Sequence, residues 1–120
     1  MQTDQPVQLE YTGKFQRDIR DLAKRYRSVR SDIQPLLDQL QAGEIPGDQV
    51  PGMDYTVFKV RVKNSTIQKG KSAGYRVLYY LKSSDRIVLI TMYSKSDRSD
   101  IATEEVRDVL TQYENQSFNP

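Results

Sequence analysis

The sequence predicts a single α+β domain made of an N-terminal strand, a helical hairpin, a three-stranded antiparallel meander and a C-terminal helix. Apolar residues recur at helical spacing in the first third of the chain and again near its C-terminus. In between, they alternate with polar residues or form short apolar runs. One domain is expected over residues 1–120, with residues 1–6 and 115–120 frayed and the helices packed on one face of the sheet.

A short strand and a first helix are predicted at the N-terminal end. Val7–Tyr11 alternates apolar and polar residues, which is typical of a half-buried strand. Thr12 is a good N-cap for the helix that follows. One face of this helix carries apolar side chains spaced by one, three or four residues: Phe15, Ile19, Leu22, Ala23 and Tyr26.

A second helix is predicted to form a hairpin with the first. The residues from Ser31 fit a capping box that would place Pro35 in the first turn, where proline is tolerated. A start at Ser28, with a kink at Pro35, is the alternative. Gly43 is a good residue to end the helix and begins a loop rich in Gly and Pro.

Three strands and a last helix are predicted in the second half. The strands are expected at 55–63, 75–82 and 87–93, with a tight turn at 83–86. Short connections make them an antiparallel meander, and the third strand is apolar on both faces, which predicts a central, covered position. The final helix begins near Thr103.

The composition excludes several classes of function. The chain has no cysteine, which excludes disulfides and thiolate metal sites and suits a reducing compartment. It has no histidine, the commonest metal ligand and proton-transfer side chain. No apolar run approaches the roughly 20 residues of a membrane span, and the first residues lack the pattern of a secretory signal. We therefore expect a cytoplasmic protein that does not enter a membrane.

Positive charge is concentrated in the second half of the chain. Residues 55–100 contain ten Lys or Arg and three acidic residues, whereas the rest contains eight and thirteen. Six of these cations lie between Lys59 and Arg76, with no acid among them. Such a stretch predicts a phosphate-bearing partner. Lysines that protect a solvated strand edge are the alternative explanation.

Spacing argues against a nucleotide cofactor and a metal. Gly70-Lys71-Ser72 is not a P-loop, because that motif needs a glycine at position 65, which is serine, and a helix where a strand is predicted. The acidic residues near the last helix are too few for a metal site and are expected to cap that helix. They are Asp97, Asp100, Glu104 and Glu105.

The cations converge on one predicted surface. Lys59, Arg61 and Lys63 alternate along one strand and so share a face, and the next strand brings Arg76 alongside. The adjoining loops add further cations and an aromatic ring: Lys69, Lys71, Tyr93, Lys95 and Arg98. Cations for phosphates and a ring for bases predict a surface for single-stranded RNA.

Three segments carry a family resemblance. They read Phe-Lys-Val-Arg-Val from Phe58, Lys-Gly-Lys-Ser-Ala-Gly-Tyr-Arg-Val-Leu-Tyr-Tyr from Lys69, and Leu-Ile-Thr-Met-Tyr-Ser-Lys-Ser-Asp from Leu89. With the order of elements, they resemble RelE/HigB-like toxins of bacterial type II toxin–antitoxin modules, in the RelE/ParE superfamily. The likeness extends over about residues 7–113 and is most specific at 69–80.

The resemblance implies a ribosome-dependent mRNA endoribonuclease that a cognate antitoxin holds inactive. It implies cleavage without a metal, in which the ribose 2′-hydroxyl attacks the adjacent phosphate and the 5′-oxygen leaves. The family's basic strand residues correspond to Lys59 and Arg61, and its arginine after Gly-Tyr corresponds to Arg76. The implied partners are an antitoxin, expected to be short, acidic and partly disordered, and mRNA on the ribosome with its rRNA.

These considerations predict site residues by role. Arg61 and Arg76 are expected to clamp the phosphate, because a guanidinium fork suits its charge and geometry. Lys59, Lys71 or Lys95 is expected to transfer protons. The predicted catalytic residues are therefore Lys59, Arg61, Arg76 and Lys95, and the predicted RNA-binding residues are Lys63, Lys69, Lys71, Tyr93 and Arg98.

The chain departs from the family at two positions. Ser96 stands where the family has a basic residue, with Lys95 the nearest cation, and Ala102 lies close to the place of a catalytic tyrosine in some relatives. The superfamily leaves a ParE-like inhibitor of DNA gyrase as one alternative function, and the missing tyrosine leaves a non-catalytic toxin-fold domain that binds an antitoxin as another.

Overall fold

The structure, a computed structural model, describes residues 6–67 and 73–117 and contains one five-stranded sheet. The strands are β1 (Gln8–Tyr11), β2 (Asp48–Gln49), β3 (Val57–Val62), β4 (Tyr75–Ser83) and β5 (Arg86–Ser94). Their order in the sheet is β1-β5-β4-β3-β2. β1 runs parallel to β5, and the other neighbours are antiparallel. The predicted meander of β3, β4 and β5 is therefore confirmed.

Helices cover both faces of the sheet. They are α1 (Gly13–Arg25), α2 (Val29–Gln41) and α3 (Thr103–Ser117). The core under α1 and α2 includes Phe15 and Leu40, whereas a second core on the other face includes Val106 and Leu110 of α3. The expectation that all helices pack on one face is wrong, because β4 and β5 carry apolar side chains on both faces and each face needs a cover.

The central position predicted for β5 is confirmed. It lies between β1 and β4. Ile87 and Leu89 belong to the core under α1 and α2, and Val88 and Ile90 belong to the core under α3. The start of α1 contacts the backbone of β5 just past the end of β1. The Thr12 hydroxyl accepts a hydrogen bond from the Phe15 N–H as the N-cap, and it donates its proton to the Ile90 carbonyl oxygen.

A β-bulge in β5 sets which side chains face each way. Leu78 pairs with Thr91, but Tyr79 pairs with Leu89, so Ile90 is an extra residue. The alternation therefore shifts by one residue, and Met92 packs in the core under α1 and α2. The Met92 N–H donates to Asp18 of α1 at 3.1 Å.

The helix ends and the first loop differ from the prediction at three points. α2 follows Ser28, the alternative start, and contains Pro35. α3 continues to Ser117, so the fraying expected from residue 115 is wrong for residues 115–117. Contacts from the sheet hold this end, since Tyr80 donates a hydrogen bond to Glu114. The predicted loop after Gly43 contains the short edge strand β2.

No helix in the described parts of the chain is long and apolar enough for a membrane crossing.

Candidate nucleic-acid interface

Two arginines and a tyrosine form a row across β3, β4 and β5, near one end of these strands. Arg61 of β3 pairs directly with Arg76 of β4, which pairs with Tyr93 of β5. Side chains of directly opposed residues share a face and lie about 5 Å apart at Cβ. The row depends on the bulge in β5, because the shifted alternation turns Tyr93, and not Met92, to the face of the two arginines.

This row forms the floor of an open cleft of about 330 Å³. Lys59 lies two residues before Arg61 and therefore on the same face of β3. The cleft is lined by residues from β2, the three meander strands and the loop after β5: Gly47, Asp48, Lys59, Arg61, Arg76, Tyr93, Lys95, Ser99 and Asp100. The four residues predicted to be catalytic, Lys59, Arg61, Arg76 and Lys95, thus lie together.

Lys59 forms an ion pair inside the cleft. Its Nζ atom lies 2.8 Å from Oδ1 of Asp100. The same carboxylate oxygen accepts the Ile101 N–H at 2.8 Å and the Tyr93 hydroxyl at 3.4 Å. These contacts lower the pKa of Asp100 from its ordinary value of 3.8, and the hydrogen bond from Lys59 has the largest effect. The carboxylate is therefore ionised at neutral pH and held in place.

Arg76 is a buried cation with its side chain in the floor of the cleft. Only 7% of the residue is exposed, and its Nη1 atom donates to the Tyr75 carbonyl oxygen at 3.2 Å. Arg61, in contrast, is exposed. The site therefore combines a guanidinium fixed by its surroundings with a second that can adjust to a ligand.

Tyr93 is also buried, with 7% of the residue exposed. Arg98 lies over its ring, with Cζ 5.6 Å from the ring centroid. Burial raises the pKa of the Tyr93 hydroxyl, and the Asp100 carboxylate raises it further. Stacking on a base needs an exposed ring face, so the predicted stacking role does not fit this arrangement.

The loop after β5 is tied down at both ends. Arg25, at the end of α1, donates two hydrogen bonds of 2.7 Å to the Asp97 carboxylate. Lys95 Nζ donates to the Ser99 carbonyl oxygen at 2.7 Å. Asp97 was expected to cap the last helix, but its carboxylate is engaged by Arg25. The loop thereby holds Lys95 and Asp100 at one side of the cleft.

The predicted RNA-binding residues are only partly brought together. Arg98 faces a neighbouring depression and pairs with Glu105 at 3.1 Å. Lys63 follows the end of β3, is exposed, and is not among the cleft residues. Lys69 and Lys71 lie outside the described residues. Of the three that the structure describes, Tyr93 is the one that lines the cleft.

The sequence interpretation missed Asp100 as part of the site. It was expected to be a helix cap, and it does accept the N–H of Ile101 just before α3. Its partner Lys59 is 41 residues away in sequence. No local spacing indicates that contact, because it depends on how the loop after β5 folds back over β3.

The charges that line the cleft suit a phosphate group. Four cations and two carboxylates surround a solvent-open space, and guanidinium groups there would bind phosphate oxygens with charge-assisted hydrogen bonds. In the parts of the chain that the structure describes, no group of three or more acidic side chains is placed to hold a metal ion.

Comparisons with known proteins identify a family and a similar fold. The family model described as the RelE toxin of the RelE/RelB toxin–antitoxin system matches residues 16–117. Among solved structures, a double mutant of the Escherichia coli toxin RelE in the free state is similar in fold. It has 16% identity and a TM-score of 0.52, over 90% of this chain and 97% of that one.

A second solved structure, TrmO from Pseudomonas aeruginosa, also has 16% identity, over 77% of this chain and 37% of that chain. Its TM-score of 0.48 is too low to support an inference. No curated protein matches the sequence.

Proposed function

Because the chain belongs to the RelE toxin family, we propose that it is the toxin of a type II toxin–antitoxin pair and stops growth by cutting mRNA on the ribosome. The observation that supports the cutting reaction most directly is the row of Arg61 and Arg76 with Lys59 beside it in one cleft. An inhibitor that only binds a protein has no need for two arginines and two lysines gathered in one cleft.

The proposed reaction uses the ribose 2′-hydroxyl group as the nucleophile. It attacks the adjacent phosphorus, and the 5′-oxygen of the next nucleotide leaves. Negative charge accumulates on the non-bridging oxygens in the transition state, and preorganised donors stabilise it there. Arg76, held in place by burial, and the opposed Arg61 are proposed to supply those donors, while Lys59 and Lys95 add charge around the phosphate.

The proposed partner is an acidic antitoxin that neutralises the cleft. Charge complementarity would guide it to the face that carries Lys59, Arg61 and Arg76. A chain that is disordered when free could follow this concave surface as it folds on binding. The proposed location of both proteins is the cytoplasm, where translating ribosomes are found.

The test is induction of the chain in bacteria without an antitoxin, followed by growth measurement and primer extension on translated mRNAs. The expected result is growth arrest with new 5′ ends inside coding regions. Arg61→Met should abolish both effects. Arg86→Met is the matched control, because Arg86 is an exposed strand arginine at the far end of β5 and should remain toxic.

Two outcomes would contradict the proposal. Growth arrest without any mRNA cleavage would point to an inhibitor of DNA gyrase, which assays of plasmid supercoiling would then identify. No growth arrest, from a folded protein that binds its antitoxin, would indicate a toxin fold without activity.

A further inference from the structure

Two carboxylates line the cationic cleft, and they are held very differently. Oδ1 of Asp100 accepts hydrogen bonds from Lys59, Tyr93 and the Ile101 N–H. Asp48 lies on the short edge strand β2, is exposed, and receives no side-chain or backbone hydrogen bond at its carboxylate from any described residue. Asp100 is thus positioned by the fold, whereas Asp48 is not.

The second carboxylate oxygen of Asp100 is available to a ligand. Within residues 6–67 and 73–117, no group donates a hydrogen bond to its Oδ2 atom. The side chain remains 64% exposed although it lines the cleft. A carboxylate with one oxygen anchored and the other open to the substrate space has the geometry of a general base.

We propose that Asp100 is the general base that removes the proton from the attacking 2′-hydroxyl group. This inference rests on the proposed nuclease function. The chain has no histidine, so the base must be a carboxylate, an amine or a phenolate. Lys59 is the charged partner of Asp100 at 2.8 Å, and the Tyr93 hydroxyl donates to the same carboxylate oxygen. Both side chains therefore act on Asp100 as donors, which leaves its carboxylate as the group able to accept a proton.

The proton balance of the reaction involves a second residue. The 2′-hydroxyl proton passes to Oδ2 of Asp100 as the bond between the 2′-oxygen and phosphorus forms. The bond between phosphorus and the 5′-oxygen breaks, and the 5′-oxygen takes a proton from an ammonium group. The products are a 2′,3′-cyclic phosphate and a 5′-hydroxyl end. Proton exchange with solvent then restores the carboxylate and the ammonium group.

Lys95 is the donor that this geometry favours. Lys59 is held by its ion pair with the base at 2.8 Å, which makes it the less available proton donor of the two lysines in the cleft. Lys95 directly follows β5 and lines the same cleft. Its ammonium group is oriented by the Ser99 carbonyl oxygen at 2.7 Å.

The lowered pKa of Asp100 also predicts how the cleavage rate depends on pH. A base must be ionised to act, and Asp100 stays ionised at every pH above 3.8. Cleavage should therefore not decline between pH 7 and pH 5 through loss of this base. A weakly basic carboxylate also predicts slow chemistry relative to a base with a pKa near 7.

The test measures single-turnover cleavage of a defined mRNA on programmed ribosomes, together with equilibrium binding of a single-stranded RNA oligonucleotide. Asp100→Asn preserves the shape and the acceptor at Oδ1 but removes the base. Cleavage should fall by at least about 100-fold, while RNA binding should stay equal or become tighter because a negative charge is lost. Asp85→Asn is the control, since it makes the same charge change in the exposed turn before β5.

Two further measurements separate a base from a structural residue. Formate should partly restore cleavage by Asp100→Ala, because a small carboxylate can occupy the vacated position. A substrate with sulfur in place of the 5′-oxygen at the cut has a leaving group that needs no proton. It should restore cleavage by Lys95→Ala and leave Asp100→Asn inactive.

Each other outcome would overturn the proposal. Cleavage by Asp100→Asn within about threefold of the unmodified protein would exclude Asp100 as the base, and loss of activity in Asp48→Asn instead would transfer that role to Asp48. Loss of RNA binding and cleavage together in Asp100→Asn, with no rescue of Asp100→Ala by formate, would make Asp100 a structural residue. If the unmodified protein cuts no mRNA, the proposed function itself fails, which is a distinct result.

Discussion

The Asp100 carboxylate lies 2.8 Å from the ammonium group of Lys59 and so connects the loop after β5 to strand β3. This contact places a negative charge in the centre of the most basic part of the molecule. It also limits how freely Lys59 can serve as a proton carrier, the role expected from the sequence.

The Lys59–Asp100 pair should make a small, pH-dependent contribution to stability. The pKa of Asp100 is lower in the folded chain than its ordinary value of 3.8. Its contribution is therefore fully present above that value and is lost as the pH falls through the folded pKa. Asp100→Asn should lower the free energy of unfolding at pH 7 by about 0.2–1 kcal/mol, since the pair is partly exposed.

Urea unfolding of the unmodified protein and Asp100→Asn at several pH values would check this expectation. The difference between the two should be constant from pH 7 to about pH 5 and should shrink below pH 3.8. A difference that grows as the pH falls would mean that the carboxylate is not stabilised in its charged form.

Arg76 should be required for activity, and its loss should also affect folding stability. It is 7% exposed and packed in the sheet, so Arg76→Ala would leave a cavity as well as remove a charge. Arg76→Met retains most of the volume and should lower mRNA cleavage by about 100- to 1,000-fold, as expected for one lost transition-state donor.

The thermal stability of Arg76→Met should be measured together with its cleavage activity. Arg61→Met is the matched comparison, because it removes the opposed but exposed arginine and should change stability by less than about 0.5 kcal/mol. A fully toxic Arg76→Met protein would contradict the assignment of this cleft as the active site.

Gly47, at the rim of the cleft, should not tolerate a side chain. Its φ is +97°, and a Cβ atom would lie 2.5 Å from the Lys59 carbonyl oxygen. Gly52 also has a positive φ, of +74°, but its Cβ would contact nothing within 4 Å. Both alanine variants should lose about 1–3 kcal/mol of stability to backbone strain. Only Gly47→Ala should also disturb the pairing of β2 with β3.

Chemical denaturation of the two variants measures this difference. Gly47→Ala should be the less stable by at least about 1 kcal/mol, because the atom it meets is backbone and cannot move aside. Equal losses of stability in the two variants would show that β2 adapts at no cost.

Much of the fold and part of the site could be predicted from local patterns. The period of the apolar residues correctly separated helices from the meander strands, and alternation along β3 correctly put Lys59 and Arg61 on one face. The same reasoning failed for Lys63, since β3 ends at Val62. It also failed for Tyr93, because alternation predicts neither the burial of a ring nor the approach of Arg98 to it.

By itself, the sequence determined the order of the elements, the antiparallel meander and the concentration of cations on β3 and β4. These properties depend on side-chain periodicity and short connections, which act between neighbours in the chain. Only the tertiary structure decided that α3 covers the second face, that a bulge turns Tyr93 towards Arg76, and that Asp100 meets Lys59. These contacts join residues that are far apart in sequence. They form because both apolar faces of the sheet are buried and because the charged side chains of the loop after β5 pair with opposite charges on other elements.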